Sequence, residues 1–295
     1  MSDNLRRLVI EDHEQVKLLC ETIWEGNDYV PEEFPQWISD SKNISVGIFK
    51  DNELIALGDL EKVENASIGW VKGLRVKEGH RQKGLAVRIT EELTRIAKEQ
   101  GLRILWYATS SRNEASQLVA ERTGFTLADS TGYFRLYRPY PAHSKPSPTL
   151  TPLKIDATRL YDLLLLNPEL VESNTFPLAW HFDFKSIEGL SRLLRDSEIK
   201  VIIDEEGIAQ GLYCMAKRDR KEDIWTAAYT VFATNRTVFV DMIARSIDEA
   251  DELGADRAVY FLGPRASEWA LTLGYVDEEF FERRFLLYEL NLTSV

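Results

Sequence analysis

Apolar positions recur along the chain with two different periods, and the places where the period changes predict its elements. Near the N-terminus Val16, Leu19, Cys20 and Ile23 lie three or four residues apart, which predicts a helix over Glu11–Glu25 after a strand at Leu5–Ile10. Pro31–Asp40 reads as a second, short helix opened by proline. Three strand-like runs follow, Ile44–Lys50, Glu53–Lys62 and Ala66–Val76. The helical period then returns, with Leu85, Ala86, Ile89, Leu93, Ile96 and Ala97 on one stripe of Leu85–Gln100. Arg103–Thr109 reads as a strand and Asn113–Thr123 as a helix. Phe125–Ala128 and Tyr133–Arg138 are expected to form a hairpin turning at Ser130–Gly132.

Residues 138–152 hold five of the chain's ten prolines. Proline at that density fixes extended backbone and removes ladder donors, so the segment is expected to link two domains. Beyond it a similar order returns. Leu153–Ile155, Lys200–Asp204, Ala209–Lys217, Ile224–Phe232, Ala258–Leu262 and Phe285–Leu290 are strand-like. Ala157–Leu166, Ile187–Arg195, Arg236–Leu253 and Arg265–Leu273 are helical. The aromatic run Trp180–Phe184 reads as packing. The recurrence predicts an internal duplication. The expected architecture is α/β (α+β), with units at 1–138 and 153–295 joined by 139–152.

The junction between Val76 and the Leu85 helix carries the chemistry. Its residues are Val76-Lys-Glu-Gly-His-Arg81-Gln-Lys-Gly84-Leu-Ala86. A glycine loop that opens a helix aims backbone N–H groups at one spot, where the helix dipole also favours negative charge. The matching junction of the second half, Ala233–Thr237, is several residues shorter and has no glycine. Side chains there would keep a pyrophosphate off the backbone. One anion site, in the first half, is therefore expected.

Composition narrows the partners. The net charge is −12; residues 1–138 carry 19 Lys and Arg against 22 Asp and Glu, and residues 139–295 carry 17 against 26. That balance disfavours a nucleic-acid partner and leaves the acidic load mostly away from the glycine loop. No apolar run is long enough to span a bilayer, and the N-terminus lacks a signal core, so a cytoplasmic protein without a membrane partner is expected. Cys20 and Cys214 are the only cysteines. They make no disulfide framework, and with the four scattered histidines they show no metal-ligand spacing. No metal is expected.

The spacing Val76-x4-Arg81-Gln82-x-Gly84-x-Ala86 resembles motif A of the GNAT superfamily of acyl-CoA-dependent N-acyltransferases. Asn113, a helix, and then Thr123-Gly124-Phe125 is similar to that superfamily's asparagine–helix–glycine–phenylalanine segment. The resemblance covers about residues 5–138. Gly26-Asn27-Asp28-Tyr29-Val30-Pro31, the nearby Trp37 and Gly73-Leu74-Arg75-Val76 further resemble the histidine N-acetyltransferase group, although Lys72 stands where that group has glutamate. The resemblance implies two tandem GNAT-like mixed-sheet units, the second degenerate. It implies that Gln82, Lys83, Gly84, Leu85 and Ala86 give amides to the CoA pyrophosphate, with Arg81 and Lys83 close to phosphate. Leu74 and Val76 would offer main-chain groups to the pantetheine, and Asn113 would hydrogen-bond that arm.

The implied reaction is direct attack of a neutral amine on the acetyl-CoA thioester. Many superfamily members place a tyrosine acid on the helix after Asn113; here Val119 or Ala120 occupies that place. Tyr133 is the replacement candidate, and Glu61 is the candidate base, acting directly or through water. At pH 7 a lysine-like amine costs about 4.6 kcal/mol to deprotonate and a peptide α-amine only about 1 kcal/mol, a free amino acid costing more than the latter, so a weakly basic amine suits a site without a strong base. Asp28 and Tyr29 would shape the acceptor pocket, and Lys72 would bind an acceptor carboxylate. The expected function is acetyl transfer to a small amine, an amino acid of histidine type, in a monomer or homodimer. The alternatives are a peptide N-acetyltransferase and a non-catalytic CoA sensor.

Overall fold

The computed structural model describes residues 3–23, 28–195, 197–219, 224–276 and 283–293. The chain divides into two compact units. The first comprises Met1–Thr109, Asn113–Ala128 and Leu286–Val295, and the second Ser110–Arg112 and Asp129–Phe285.

In the first unit the strands are β1 (Asn4–Arg7), β2 (Asn43–Lys50), β3 (Glu53–Lys62), β4 (Ile68–Val76) and β5 (Ile104–Ser110), followed by the C-terminal strand β14 (Arg284–Asn291), its part from Leu286 onward. They lie in the order β1-β2-β3-β4-β5-β14. β2–β3 and β3–β4 pair antiparallel and β4–β5 parallel. Both faces are covered, so the middle of β2 and β3 is buried at consecutive positions. On one face lies α3 (Leu85–Glu99), whose Leu85, Ile89, Leu93 and Ile96 stripe packs on Ile44, Val46, Leu60 and Val71. On the other, α1 (His13–Cys20) and α2 (Val30–Ser39) cover Phe49, Leu54 and Leu57 with Val16, Leu19, Phe34 and Trp37. The helix predicted over Glu11–Glu25 is a short 3-10 turn at Ile10–Asp12 followed by α1; residues 24–27, including Gly26 and Asn27 of the acceptor motif, lie outside the described residues. α4 (Glu114–Arg122) closes the unit.

The second unit has the order β6-β13-β12-β11-β10-β7, with β6 (Thr126–Tyr137), β7 (Thr151–Lys154), β10 (Glu198–Ile203), β11 (Ala209–Asp219), β12 (Trp225–Ala233) and β13 (Arg257–Leu262). α7 (Arg236–Glu252) and α8 (Pro264–Thr272) pack on one face. α5 (Ala157–Leu166) and α6 (Ile187–Leu193) pack on the other. β10–β11 and β11–β12 pair antiparallel and β12–β13 parallel. This repeats β2 to β5, with α7 and α8 in the places of α3 and α4. The tandem arrangement is therefore real. The aromatic run forms β9 (His181–Phe184), paired with β8 (Thr175–Leu178); Phe182 stacks on Phe285 within this unit.

The hairpin expected at Ser130–Gly132 does not form. β6 runs unbroken from Thr126 to Tyr137, and none of its residues has a positive φ. Gly132 serves packing instead of turning: a Cβ there would meet the Ser267 Oγ of α8 at 2.0 Å. From Asp129 onward β6 belongs to the second unit, antiparallel to β13, and β14 stands beside β5 in the first. Each unit thus completes its sheet with a strand from outside its own stretch of sequence, where the expected spans 1–138 and 153–295 were contiguous. The proline-rich segment is docked on α7. Its extended backbone leaves groups unpaired, and α7 side chains take them: Ser147 N–H donates to Asp241 at 2.5 Å, and Arg245 donates to the carbonyls of Ser147 and Leu150.

Candidate functional site

Three features of the first unit set apart the end of β4. First, Leu57 lies opposite Arg75 and Asp59 opposite Lys72, so β4 carries one extra residue, a bulge around Gly73 and Leu74. Gly73 has φ +63°, and a Cβ on it would meet the Trp37 indole at 2.6 Å. Only glycine suits both demands. Second, the β4–β5 pairing runs from Ile68 opposite Ile104 to Val71 opposite Tyr107 and stops, so the strands part. Third, the chain passes a 3-10 turn at Glu78–His80, takes a positive φ at Gln82 and enters α3 from Gly84 at φ +75°.

That entrance is built for an anion. Gly84 caps α3 without any side-chain bond, and nothing lies within 4 Å of a Cβ placed on it. The first intrahelical bond is Arg88 N–H to Gly84 C=O, which leaves the amides of the first turn, Leu85 and Ala86 among them, without helical acceptors. Arg81 and Lys83 are exposed and lean on their own loop, Lys83 Nζ donating to Gly79 C=O at 2.9 Å. Both are free to swing onto a phosphate. Leu74 C=O accepts from Arg75, and Val76 C=O from Arg81. The residues present fit a pyrophosphate at the helix start and an extended arm beside the open edge of β4.

The second unit lacks all three features. β11 and β12 pair without a bulge, and β12–β13 remain paired to the end of β13 at Leu262. The Asn235 side chain accepts from Val238 N–H, so the chain itself closes the start of α7.

On the face of the first sheet toward α2, two rows of side chains cross the strands. Asn43, Glu61 and Trp70 form one row, and Ser45, Asp59 and Lys72 the other. Lys72 Nζ lies 2.5 Å from Glu61, 3.9 Å from Asp59 Oδ2 and 4.8 Å from the centre of the Trp37 ring. Asp59 is fully buried; its Oδ1 accepts from Ser45 Oγ at 2.6 Å, and its Oδ2 has no hydrogen-bond donor. Burial pushes its carboxyl up to about 6, against the opposing pull of Ser45 and Lys72 and with help from Glu61. Nearby, Arg75 grips Asp28 through two bonds of 2.6 and 2.7 Å and covers the Tyr29 ring. Burial works against the Arg75 charge, but the bonds to Asp28, with Tyr29 and Cys20 beside it, more than restore it and raise its pKa. Asp28, expected to face the acceptor, carries this internal cation.

At the start of α4, Asn113 accepts from Ser116 N–H at 3.2 Å, acting as an N-cap. Tyr107, the last residue of β5 paired with β4, shares a hydrogen bond with the Ser116 hydroxyl, and burial raises its pKa. Tyr288 of β14 donates to Gln117 of α4 at 3.5 Å. Tyr133 lies in the second unit, where its hydroxyl accepts from Arg135 and its ring meets Phe261. The structure therefore gathers Tyr29, Lys72 and Glu61 near the β4 bulge and seats Tyr133 in the second unit's apolar cluster. Sequence reasoning missed Asp59, Arg75, Tyr107 and Tyr288. Asp59 and Glu61 sit two apart on a strand, which signals a shared face; nothing signals that only one of them is buried.

Among the described residues no cluster of His, Cys, Asp and Glu could hold a metal, and no helix is long and apolar enough to cross a membrane.

The fold has counterparts among known proteins. Residues 8–125 match the acetyltransferase (GNAT) family. A histidine N-acetyltransferase of Xenopus tropicalis is 21% identical over 66% of this chain, and the match spans 64% of that protein. Two solved structures share the fold over nearly the whole chain. A tandem GNAT protein of the clavulanic acid biosynthesis pathway has TM-score 0.60 at 9% identity and is covered fully, as is this chain. A GCN5-related N-acetyltransferase of Sphaerobacter thermophilus has TM-score 0.62 at 11% identity over 98% of this chain and 96% of its own. The chain has the GNAT fold in tandem.

Proposed function

We propose that the chain is an acetyl-CoA-dependent N-acetyltransferase whose first unit does the chemistry and whose acceptor is the α-amine of a free amino acid, histidine-like in its side chain. The observation that carries this reading is the glycine-capped, unblocked start of α3 beside the parted ends of β4 and β5, set against the closed start of α7. The amides of residues 82–86 hold the pyrophosphate. Leu74 and Val76 pair with the pantetheine as with an added strand, and Asn113 helps to fix it. Acetyl-CoA supplies the thioester.

The charges beside the bulge alternate: Glu61 negative, Lys72 positive, Asp59 negative. A zwitterion complements that pattern, its carboxylate on Lys72 and its ammonium toward Glu61. Tyr29, edge-on to the buried Trp37 and half-exposed itself, lies at the border of this patch. The second unit supports the first without binding CoA. The histidine-like acceptor draws support from the likeness to the Xenopus tropicalis protein.

The test is release of free thiol from acetyl-CoA across the twenty amino acids, simple diamines and short peptides. Turnover with free amino acids and little with peptides is expected. Turnover with peptides alone would overturn the acceptor assignment, and silence across the panel would overturn the enzyme.

A further inference from the structure

The reaction needs somewhere for a proton to go. An α-ammonium must lose one before its nitrogen can attack, and Glu61, on the open side of the row, already spends a lone pair on Lys72. Asp59 is placed differently. Of the two carboxylates beside Lys72 it is the wholly buried one, one of its oxygens is held by Ser45, and the other faces Lys72 with no donor within hydrogen-bond distance. An unfilled acceptor beside an ammonium, under a site that binds ammonium groups, is a proton seat.

We propose that Asp59 is the proton store of the transfer and acts through Lys72. The inference rests on the amine-acetylating reading above. As the acceptor settles with its ammonium between Glu61 and Lys72, Lys72 Nζ closes the 3.9 Å gap to Asp59 Oδ2 and gives it one proton, and the lone pair so freed on Nζ takes one from the ammonium. Lys72 ends as it began, Asp59 becomes a neutral acid and the acceptor a neutral amine. The amine nitrogen then bonds to the thioester carbonyl carbon, the C–S bond breaks, and CoA leaves as thiolate and takes the second nitrogen proton. When the product departs, Asp59 returns its proton to solvent by the same route. Asp59 is thus a positioning residue for protons, not a group that touches substrate.

The surroundings suit the task. A carboxyl that titrates near 6 holds a proton roughly 100-fold more tightly than one near 4, yet still releases it at neutral pH. The groups bearing on it are Ser45 from β2, Glu61 from β3 and Lys72 from β4. Beyond Lys72, α2 presents Trp37, held by Glu33, while the Arg75–Asp28 pair is self-neutralised.

The test compares kcat against pH for the wild type, Asp59→Asn and Ser45→Ala, with thiol release as the readout and folding checked by circular dichroism. Wild-type kcat should fall below about pH 6. Asp59→Asn should lower kcat about 100-fold, leave KM within about twofold and lose the acid limb. Ser45→Ala removes a bond that favours the charged form, so its acid limb should move to higher pH. A folded Asp59→Asn that keeps its rate and its limb, or a Ser45→Ala limb that stays put, overturns the relay while the acetyltransferase reading survives. A wild type inert toward every amine overturns both.

Discussion

Asp59 gives a prediction about stability whose sign is opposite to the usual one for a carboxylate. Its Oδ2 is buried without a donor, and burial raises its titration from 3.8 to about 6. Between those values the folded chain binds the proton better than the unfolded chain does. Its contribution to stability is therefore greatest in acid, declines as pH rises through that window, and is wholly lost above it. At about 1.36 kcal/mol per pKa unit the cost at neutral pH is roughly 3 kcal/mol. The side chain is fully buried, so solvent screening takes little from that figure. Asp59→Asn removes the charge and keeps an oxygen for the Ser45 hydroxyl. The variant should gain roughly 3 kcal/mol over wild type at pH 7 and almost nothing at pH 4. Hydrogen exchange of core amides such as Leu57 and Leu60, corrected for intrinsic rates, reads the opening of the first unit directly. A variant that is less stable than wild type at pH 7, or a difference that does not change with pH, would refute the reasoning. The same substitution should slow the reaction, so a gain in stability with a loss of rate marks a group kept for function.

Other substitutions probe the rest of the site. Asp28→Asn replaces the carboxylate that neutralises the buried Arg75 guanidinium with a neutral amide and should cost about 3–5 kcal/mol in urea unfolding; a cost below about 1 kcal/mol would mean that the pair is solvated. Gly73→Val forces a branched side chain into a left-handed backbone and against Trp37, so it should destabilise the first unit and weaken CoA binding together. Asn113→Ala should cost about 1 kcal/mol by calorimetry as a lost cap and also weaken CoA binding; loss of stability alone would leave Asn113 as a cap only.

The fold was legible in the sequence wherever local periodicity decides it. The stripe Leu85, Ile89, Leu93, Ile96 gives α3, and the glycines at 79 and 84 give the loop before it. The duplication was legible because the same order of strand-like and helical runs is written twice. The exchange of β6 and β14 was not, since Gly132 carries the residue type of a turn while serving as the contact for Ser267. Choosing between those roles depends on α8, more than a hundred residues downstream. The site divides in the same way. The glycine loop that opens α3 is local and could be read. The charged rows beside the bulge are assembled from α2, β2, β3 and β4, and whether Asp59 or Glu61 is the buried carboxylate is set by what packs over each. Likewise Tyr288 meets α4 only because β14 takes the place beside β5.

The central claim is that one helix start of two receives CoA. Calorimetric titration of the full chain with CoA tests it most directly, with Gly84→Trp and Asn235→Gly beside the wild type. One site per chain is predicted, abolished by Gly84→Trp and unchanged by Asn235→Gly. Two equal sites, or one site that survives Gly84→Trp, would contradict it.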